Sequence, residues 1–574
     1  MSVLAGRPPG RPPGRFWRPA AFPLTLGRLA LDPWVLGALA VAGFVAAPLL
    51  AVIWQALATS DDIWSHLAAT VLPVYIRETL LLMTGVGVGT FIVGTGCAWL
   101  VTMCRFPGQR VLTWALLLPF AVPAYLLAFV ATDQLEYAGT VQTGLRALFG
   151  WQRPGDYWFP EIRSLGGAVW VMTLALYPYV YLLARAAFLE QSVCVLEVSR
   201  TLGKTAWGSF FGVALPLARP AIVIGISLVL METLNDFGTV DFFAVETFTV
   251  GIYDVWLNQS SIAGAAQLSL VLMVFVLALI TAERLARRGR RFHHTSSRYQ
   301  NLPSYRLTGL KAVLAFAACV LPVVIGFVIP ALVLAGYAIR FHAETLSPRY
   351  LEFAANSLGL SAFAAIAAAV IGLVLAYAQR LSQHPAVNGV VRFAGIGYAV
   401  PASVLAVGVI LPLSQLDEAM DGATMTLLGI PAPLLVSGTL AAVVYGYLVR
   451  FLALSHGAVE AGLTKVTPNM DGAARTLGAG PGGALKRVHF PLIRGSLMTA
   501  ALLVFVDCMK ELPLTLVLRP FDFDTLATFV YQYASDELFE EASLAALTIV
   551  AAGILPVILL SMTIVASRRG GTAP

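Results

Sequence analysis

Twelve apolar runs of about 20 residues dominate this chain, at roughly 34–54, 78–103, 111–132, 166–188, 219–238, 264–282, 312–338, 357–378, 393–413, 431–453, 494–514 and 543–566. That is the length an α-helix needs to cross a ~30 Å hydrocarbon core. Only 12% of the residues are charged and mean hydropathy is +0.80, whereas a soluble domain carries about 25% charge. The expected class is an all-α integral membrane protein. The fifth and eleventh runs are the least clean, because each holds charges.

The basic residues alternate with the runs. Arg7, Arg11, Arg15, Arg18 and Arg28 precede the first run, Arg105 and Arg110 follow the second, and Arg185, Arg200, Lys204 and Arg219 follow the fourth. Five arginines lie between 284 and 291 after the sixth, with Arg380 and Arg392 after the eighth. Lys465, Arg475, Lys486, Arg487 and Arg494 follow the tenth, and Arg568 and Arg569 the twelfth. With twelve crossings all of these share one side, while Asp61, Asp62, Asp417, Glu418, Asp536, Glu537, Glu540 and Glu541 lie opposite. The positive-inside rule then puts both termini in the cytoplasm. Topology thus accounts for the net charge of +6 without nucleic acid. The first run is too long for a signal-peptide core and reads as a retained span. The five cysteines (Cys97, Cys104, Cys194, Cys319 and Cys508) fall in spans or on the basic side, where disulfides are not expected.

The chain repeats itself. Arg200-Thr201-Leu202-Gly203 recurs as Arg475-Thr476-Leu477-Gly478, 275 residues on, and each glycine precedes a proline by 13 positions, Pro216 and Pro491. Ala121-Val122-Pro123-Ala124 recurs as Ala399-Val400-Pro401-Ala402, 278 residues on. Two units of six spans follow. An even span number gives them the same orientation, so they are parallel repeats about an axis along the membrane normal. The expected divisions are a disordered basic cytoplasmic tail (1–33), a first transmembrane half (34–283), a basic cytoplasmic linker (284–311), a second half (312–566) and a cytoplasmic tail (567–574).

Both RTLG loops then face the cytoplasm. Each reads as a short helix ended by a glycine in the left-handed conformation, then a second short helix that the proline stops before the next span. Two equivalent knobs suit a two-fold symmetric partner; the plainer reading is an amphipathic loop lying on the membrane. Gly203-Lys204-Thr205 imitates the end of a phosphate-binding loop, but Val198 stands where its first glycine belongs. No complete motif of that kind is present, so any ATPase belongs on another chain.

The charged spans align at the same offset: Glu232 with Asp507, Asn235 with Lys510, and Asp236 with Glu511. A carboxylate in mid-membrane costs roughly 2.5–3.5 kcal/mol on insertion scales. Positions four apart share a helix face, so each carboxylate pair is expected to point at the interface between the halves. Two readings stand. Either the four carboxylates with Asn235 line a path for a hard cation, or they are structural, with Lys510 neutralising Asp507 or Glu511. His293-His294 reads as a solvated part of the linker. Tyr177, Tyr179 and Tyr181 read as packing or path lining, Trp151 and Trp158 as interfacial anchors, and the outer loop 133–165 as holding a short amphipathic helix.

These loops resemble the E-A-A-x3-G-x9-I-x-L-P motif of ABC importer membrane subunits. The first half fits it as Glu197, Val198, Ser199, Gly203, Val213, Leu215 and Pro216, and the second as Gly472, Ala473, Ala474, Gly478, Val488, Phe490 and Pro491. The resemblance implies a type I-like permease fold and coupling helices that dock two copies of an ABC ATPase subunit, which would bind ATP and Mg. On that resemblance the coupling residues are Glu197, Arg200, Gly203, Pro216, Asp471, Arg475, Gly478 and Pro491. Gly472 replaces the motif's glutamate, with Asp471 one position earlier, so the two docks are expected to be unequal. The run ETLNDFGTVDFFAVETFTVGIYDVW at 232–256 and the DCMKELPLT run at 507–515 are similar to ferric-iron permeases, a family that commonly fuses both halves. This implies a bacterial inner-membrane subunit that catalyses no covalent chemistry, holds no stable metal, and receives Fe³⁺ from a periplasmic binding protein. Thiamine permeases share the fused form, and polyamine and phosphonate permeases the docking motif. A gradient-driven transporter of the 6+6 type would share the topology, but has no reason to duplicate the docking loop.

Overall fold

The computed structural model describes residues 33–58, 63–191, 201–203, 205–287, 305–382, 385–395, 397–431, 436–464 and 466–566. The protein is an all-α membrane bundle. Among the described residues eleven helices are long and apolar enough to span a membrane, or twelve if the bent pair Gln109–Ala121 with Ala124–Phe149 is taken as one span. The strands among the described residues are a two-residue parallel pairing of Cys104–Arg105 with Tyr305–Arg306. Cys97, Cys104, Cys319 and Cys508 are buried free thiols; Cys194 and His293-His294 lie outside the described residues.

The repeated AVPA motif breaks its span in both halves. Pro123 (φ −56°, ψ 146°) and Pro401 (φ −54°, ψ 144°) take the same extended conformation. Each follows a 3₁₀ turn, Leu118–Ala121 or Gly397–Ala399, and each opens a new helix at Ala124 or Ala402. Proline lacks the N–H that would continue the helix and drives the preceding residue out of the α region. The continuous third span expected over 111–132 is therefore bent by 91°. The ninth begins at Ala402 and runs to Leu428, not over 393–413. The tenth begins at Leu440, not 431, behind an N-cap by the Thr439 hydroxyl.

The second pair of prolines acts differently from the expected stop. The helix runs unbroken from Trp207 to Asn235 through Pro216, and from Pro481 to Met509 through Pro491. In each case a π turn, Phe210–Ala214 or Leu485–His489, ends two residues before the proline. A third such turn, Val324–Val328, precedes Pro330 in the same way. The wider turn accommodates a ring that would strike the carbonyl of the preceding turn, and the helix continues.

The sequence halves are not the packing units. One core joins Leu82–Val245 side chains of the first half to Ala312–Leu334 and Leu526–Val550 of the second. A second joins the second half's residues between Leu360 and Leu518 to Ala38–Ala56 and Phe248–Val276 of the first. Each of these two cores thus holds mainly the inner spans of one half and the first and last spans of the other, while a smaller third cluster, Ala376 to Ala500, lies within the second half. Pro33–Ala58 packs along Ala402–Leu428, while the Ile329–Arg340 segment packs on Phe539–Ala566 and the bent third span. The halves are interlocked around the region where their charged spans meet.

Candidate functional site

A cavity of about 120 Å³ lies at that meeting point, and all six charged or amide residues singled out above line it: Glu232, Asn235, Asp236, Asp507, Lys510 and Glu511. They do not share helix faces as expected. Leu215–Asn235 ends at Asn235 and Phe490–Met509 ends at Met509, so Asp236 and Glu511 lie beyond the helices. Each turns back to cap the short helix that follows. Asp236 Oδ1 accepts from the Thr239 and Val240 amides at 2.9 and 3.3 Å, and Oδ2 from the Thr239 hydroxyl at 2.9 Å. Glu511 Oε1 accepts from the Leu514 amide at 3.2 Å. Thr239 and Leu514 are again 275 apart, so the cap is part of the duplicated design.

The halves differ in how charge is balanced. Arg450 donates to Glu511 at 3.0 Å, both side chains only 6% exposed. Lys510 pairs with Asp507 at 2.9 Å and lies 4.8 Å from the Phe120 ring centre. In the first half Ala175 stands where the second has Arg450, at the same offset. Asp236 accordingly has no cation within 4 Å among the described residues. Neither does Glu232, which accepts from the Tyr398 hydroxyl at 2.8 Å. The cavity therefore holds four carboxylates and two cations, with the excess negative charge on the first half's wall. Among the described residues no three of His, Cys, Asp and Glu gather as a metal-ligand set.

Asn235 is a cross-half cap. Its Oδ1 accepts from the Ala402 amide at 2.7 Å, at the helix start that the Pro401 break creates. Its counterpart Lys510 has no acceptor atom and pairs with Asp507 instead. The sequence reading missed Arg450, Tyr398 and Phe120. Arg450 carried a signal, since an ionisable residue inside a span is a site candidate by default. Phe120 and Tyr398 precede the two AVPA motifs at equal distance and face opposite charged clusters. Of the three tyrosines of the fourth span, Tyr179 lines the cavity. Tyr177 and Tyr181 are buried and donate to the Leu116 and Thr113 carbonyls.

The two RTLG turns lie at one end of the bundle. Gly203 and Gly478 have φ of +78° and +76°, with open space where a Cβ would stand. Backbone conformation, not crowding, selects glycine there. Pro468–Thr476 ends in a Schellman motif: the Ala479 amide bonds the Ala474 carbonyl and the Gly478 amide that of Arg475. Beside the glycines, Leu202 and Leu477 are 75% and 86% exposed. The two turns thus present matched exposed apolar side chains. Glu197, Arg200 and most of the first loop's helix lie outside the described residues.

Asp471 faces inward. It accepts from Arg380 Nη2 at 2.8 Å and Nε at 3.1 Å, and lies 2.6 Å from His489 Nε2. Arg380 also donates to the Leu463 and Val466 carbonyls, so these residues clamp the second loop to the bundle. Burial acts to raise the Asp471 carboxyl, but the His489 and Arg380 bonds outweigh it and hold it below the usual carboxylate range. Arg475 is exposed, and Pro491 lies within the helix. At the opposite end of the bundle Thr140–Phe149 forms the outer-loop helix, with Trp151 stacked between Phe149 and Tyr157.

Comparison with known proteins accords with this geometry. Residues 90–291 match the family model described as binding-protein-dependent transport system inner membrane component. The chain is 25% identical over 489 residues to the Fe(3+)-transport system permease protein FbpB 2 of Haemophilus influenzae, covering 84% of this chain and 89% of that one. It is 22% identical over 487 residues to the ferric transport system permease protein FbpB of Actinobacillus pleuropneumoniae, covering 80% and 67%. The molybdenum transport system permease protein ModB of Escherichia coli is 28% identical over 200 residues, covering 34% of this chain and 84% of that one.

Proposed function

Because the chain is a membrane subunit of the binding-protein-dependent ABC importer type, with two fused halves, we propose that it moves ferric iron from periplasm to cytoplasm by alternating access. The observation that carries the substrate is the likeness to ferric permeases over both halves; the molybdenum permease covers about a third of the chain. The cavity's chemistry supports it, because Glu232 and Asp236 present carboxyl oxygens with no cation within 4 Å among the described residues, and hard cations prefer oxygen ligands. A site of two hydrogen-bonded carboxylates is weak and leaves an ion free to move on. In this reading both termini are cytoplasmic, two ATPase copies bind the Gly203 and Gly478 turns, and a periplasmic binding protein supplies the ion. An oxyanion is the second reading, favoured by Arg450 and Lys510 on the cavity wall; each of them is already engaged by a carboxylate.

The test is Glu232→Gln with Asp236→Asn, which keeps both as hydrogen-bond acceptors and removes both charges. Ferric uptake should fall at least tenfold while the ATPase still co-purifies. Full ferric uptake by the double variant would sink the role of these carboxylates, and uptake of molybdate or sulfate in its place would favour the oxyanion.

A further inference from the structure

The duplication aligns Thr102 with Arg380, at the offset of the AVPA motifs. In the second half the Arg380 side chain fills the space beneath the coupling loop and bonds Asp471 and two carbonyls. Thr102 is too short to do so. At the corresponding place in the first half there is a cavity of about 560 Å³, lined by Val101, Thr102, Arg105, Gln109, Arg110, Thr113, Arg185 and Leu189. Among the described residues that line it, three are arginines and none is an acid. Arg105 and Arg110 are exposed, with no carboxylate within 4 Å among the described residues. Arg185 is buried and already partnered within the protein.

Arginines are suited to phosphate because their fork of N–H donors matches its oxygens. The apolar Val101 and Leu189 sit on the same wall. We propose that this cavity is a binding site for a phosphate group, held by Arg105 and Arg110, beside the first RTLG turn. Its level, at the ends of the Leu72–Met103 and Leu165–Glu190 spans, is that of lipid headgroups. An anionic phospholipid is the source that reaches it directly; inorganic phosphate is the soluble one.

The full-length chain would be placed in nanodiscs of phosphatidylcholine containing a minor fraction of phosphatidylglycerol, and the lipids retained on release counted by native mass spectrometry. A parallel arm titrates inorganic phosphate into lipid-depleted protein. The expected result is selective retention of phosphatidylglycerol, reduced about thirtyfold by Arg105→Gln with Arg110→Gln, at the usual worth of two basic residues near a lipid surface. Both positions are exposed, so folding is not at stake. Phosphate binding that the same double variant abolishes, without lipid selectivity, keeps the site and assigns it the soluble source. Retention unchanged in the double variant overturns the proposal. So does an equal loss from Lys486→Gln with Arg487→Gln, exposed charges outside the cavity, because general attraction then suffices.

Discussion

At the scale of single residues, Gly203 and Gly478 isolate what the turns require. Both have positive φ and open surroundings, so alanine meets only the backbone penalty of about 1–2 kcal/mol. Proline cannot adopt positive φ at all. Gly203→Pro or Gly478→Pro should abolish co-purification of the ATPase while the chain still inserts, and each alanine variant should weaken it partially. Intact co-purification with either proline variant would remove the docking role. Arg450 gives a second residue-scale prediction. Breaking a buried ion pair leaves an uncompensated charge and costs roughly 3–5 kcal/mol. Arg450→Ala should therefore lower thermal stability sharply, while Arg450→Met combined with Glu511→Gln should recover most of the loss. A double variant as unstable as the single would show that the arginine acts beyond its pairing with Glu511.

At the scale of elements, what could be read ahead depended on whether the cause was local. The apolar runs, the glycine turns and the outer-loop helix follow from composition and spacing, and the structure has them. The AVPA repeats were visible as a repeat but were read as continuous span, although Pro123 and Pro401 carry a local reason to break it. Pro216 and Pro491 were read as stops because the π turns that accommodate them have no sequence signature of their own. The cavity residues were found because intramembrane charge is costly wherever it lies. Their arrangement was not, because Asp236 and Glu511 leave the helix to cap its successor, and Arg450 comes from a span 61 residues away from Glu511. The Asp471 clamp was hidden for the same reason, since Arg380 is 91 residues away. That clamp makes an element-scale prediction. The Asp471 carboxyl is held below its usual range, so its contribution is present above the unfolded carboxylate pKa near 4 and is lost as pH falls through the lower folded value. Amide exchange in Pro468–Thr476, corrected for intrinsic rate, should be flat from pH 7 to 5 and accelerate only in stronger acid. Asp471→Asn should accelerate it already at pH 7. Exchange that rises between pH 7 and 5 would indicate that a different group holds the loop.

At the scale of the whole molecule, the interlocked cores constrain any transport cycle. The first and last spans of each half pack in the other half's core, so motion must carry those spans with the partner core while the inner spans move about the central cavity. Glu232, Asp236, Asp507 and Glu511 sit where the cores meet, and the turns at Gly203 and Gly478 sit at the end of the inner spans. Two continuous helices, Trp207–Asn235 and Pro481–Met509, run from beside the turns to the cavity walls; in the proposed cycle they carry a displacement from one to the other. The central claim is ATP-driven ferric import through this chain. It is tested most directly by uptake of radiolabelled ferric iron in iron-starved cells with and without the chain, with labelled molybdate and thiamine in parallel. The account predicts loss of iron uptake alone, sensitive to ATP depletion and indifferent to an uncoupler at constant ATP. Unchanged iron uptake with loss of molybdate or thiamine uptake would contradict the substrate, and iron uptake that follows the proton gradient at constant ATP would contradict the mechanism.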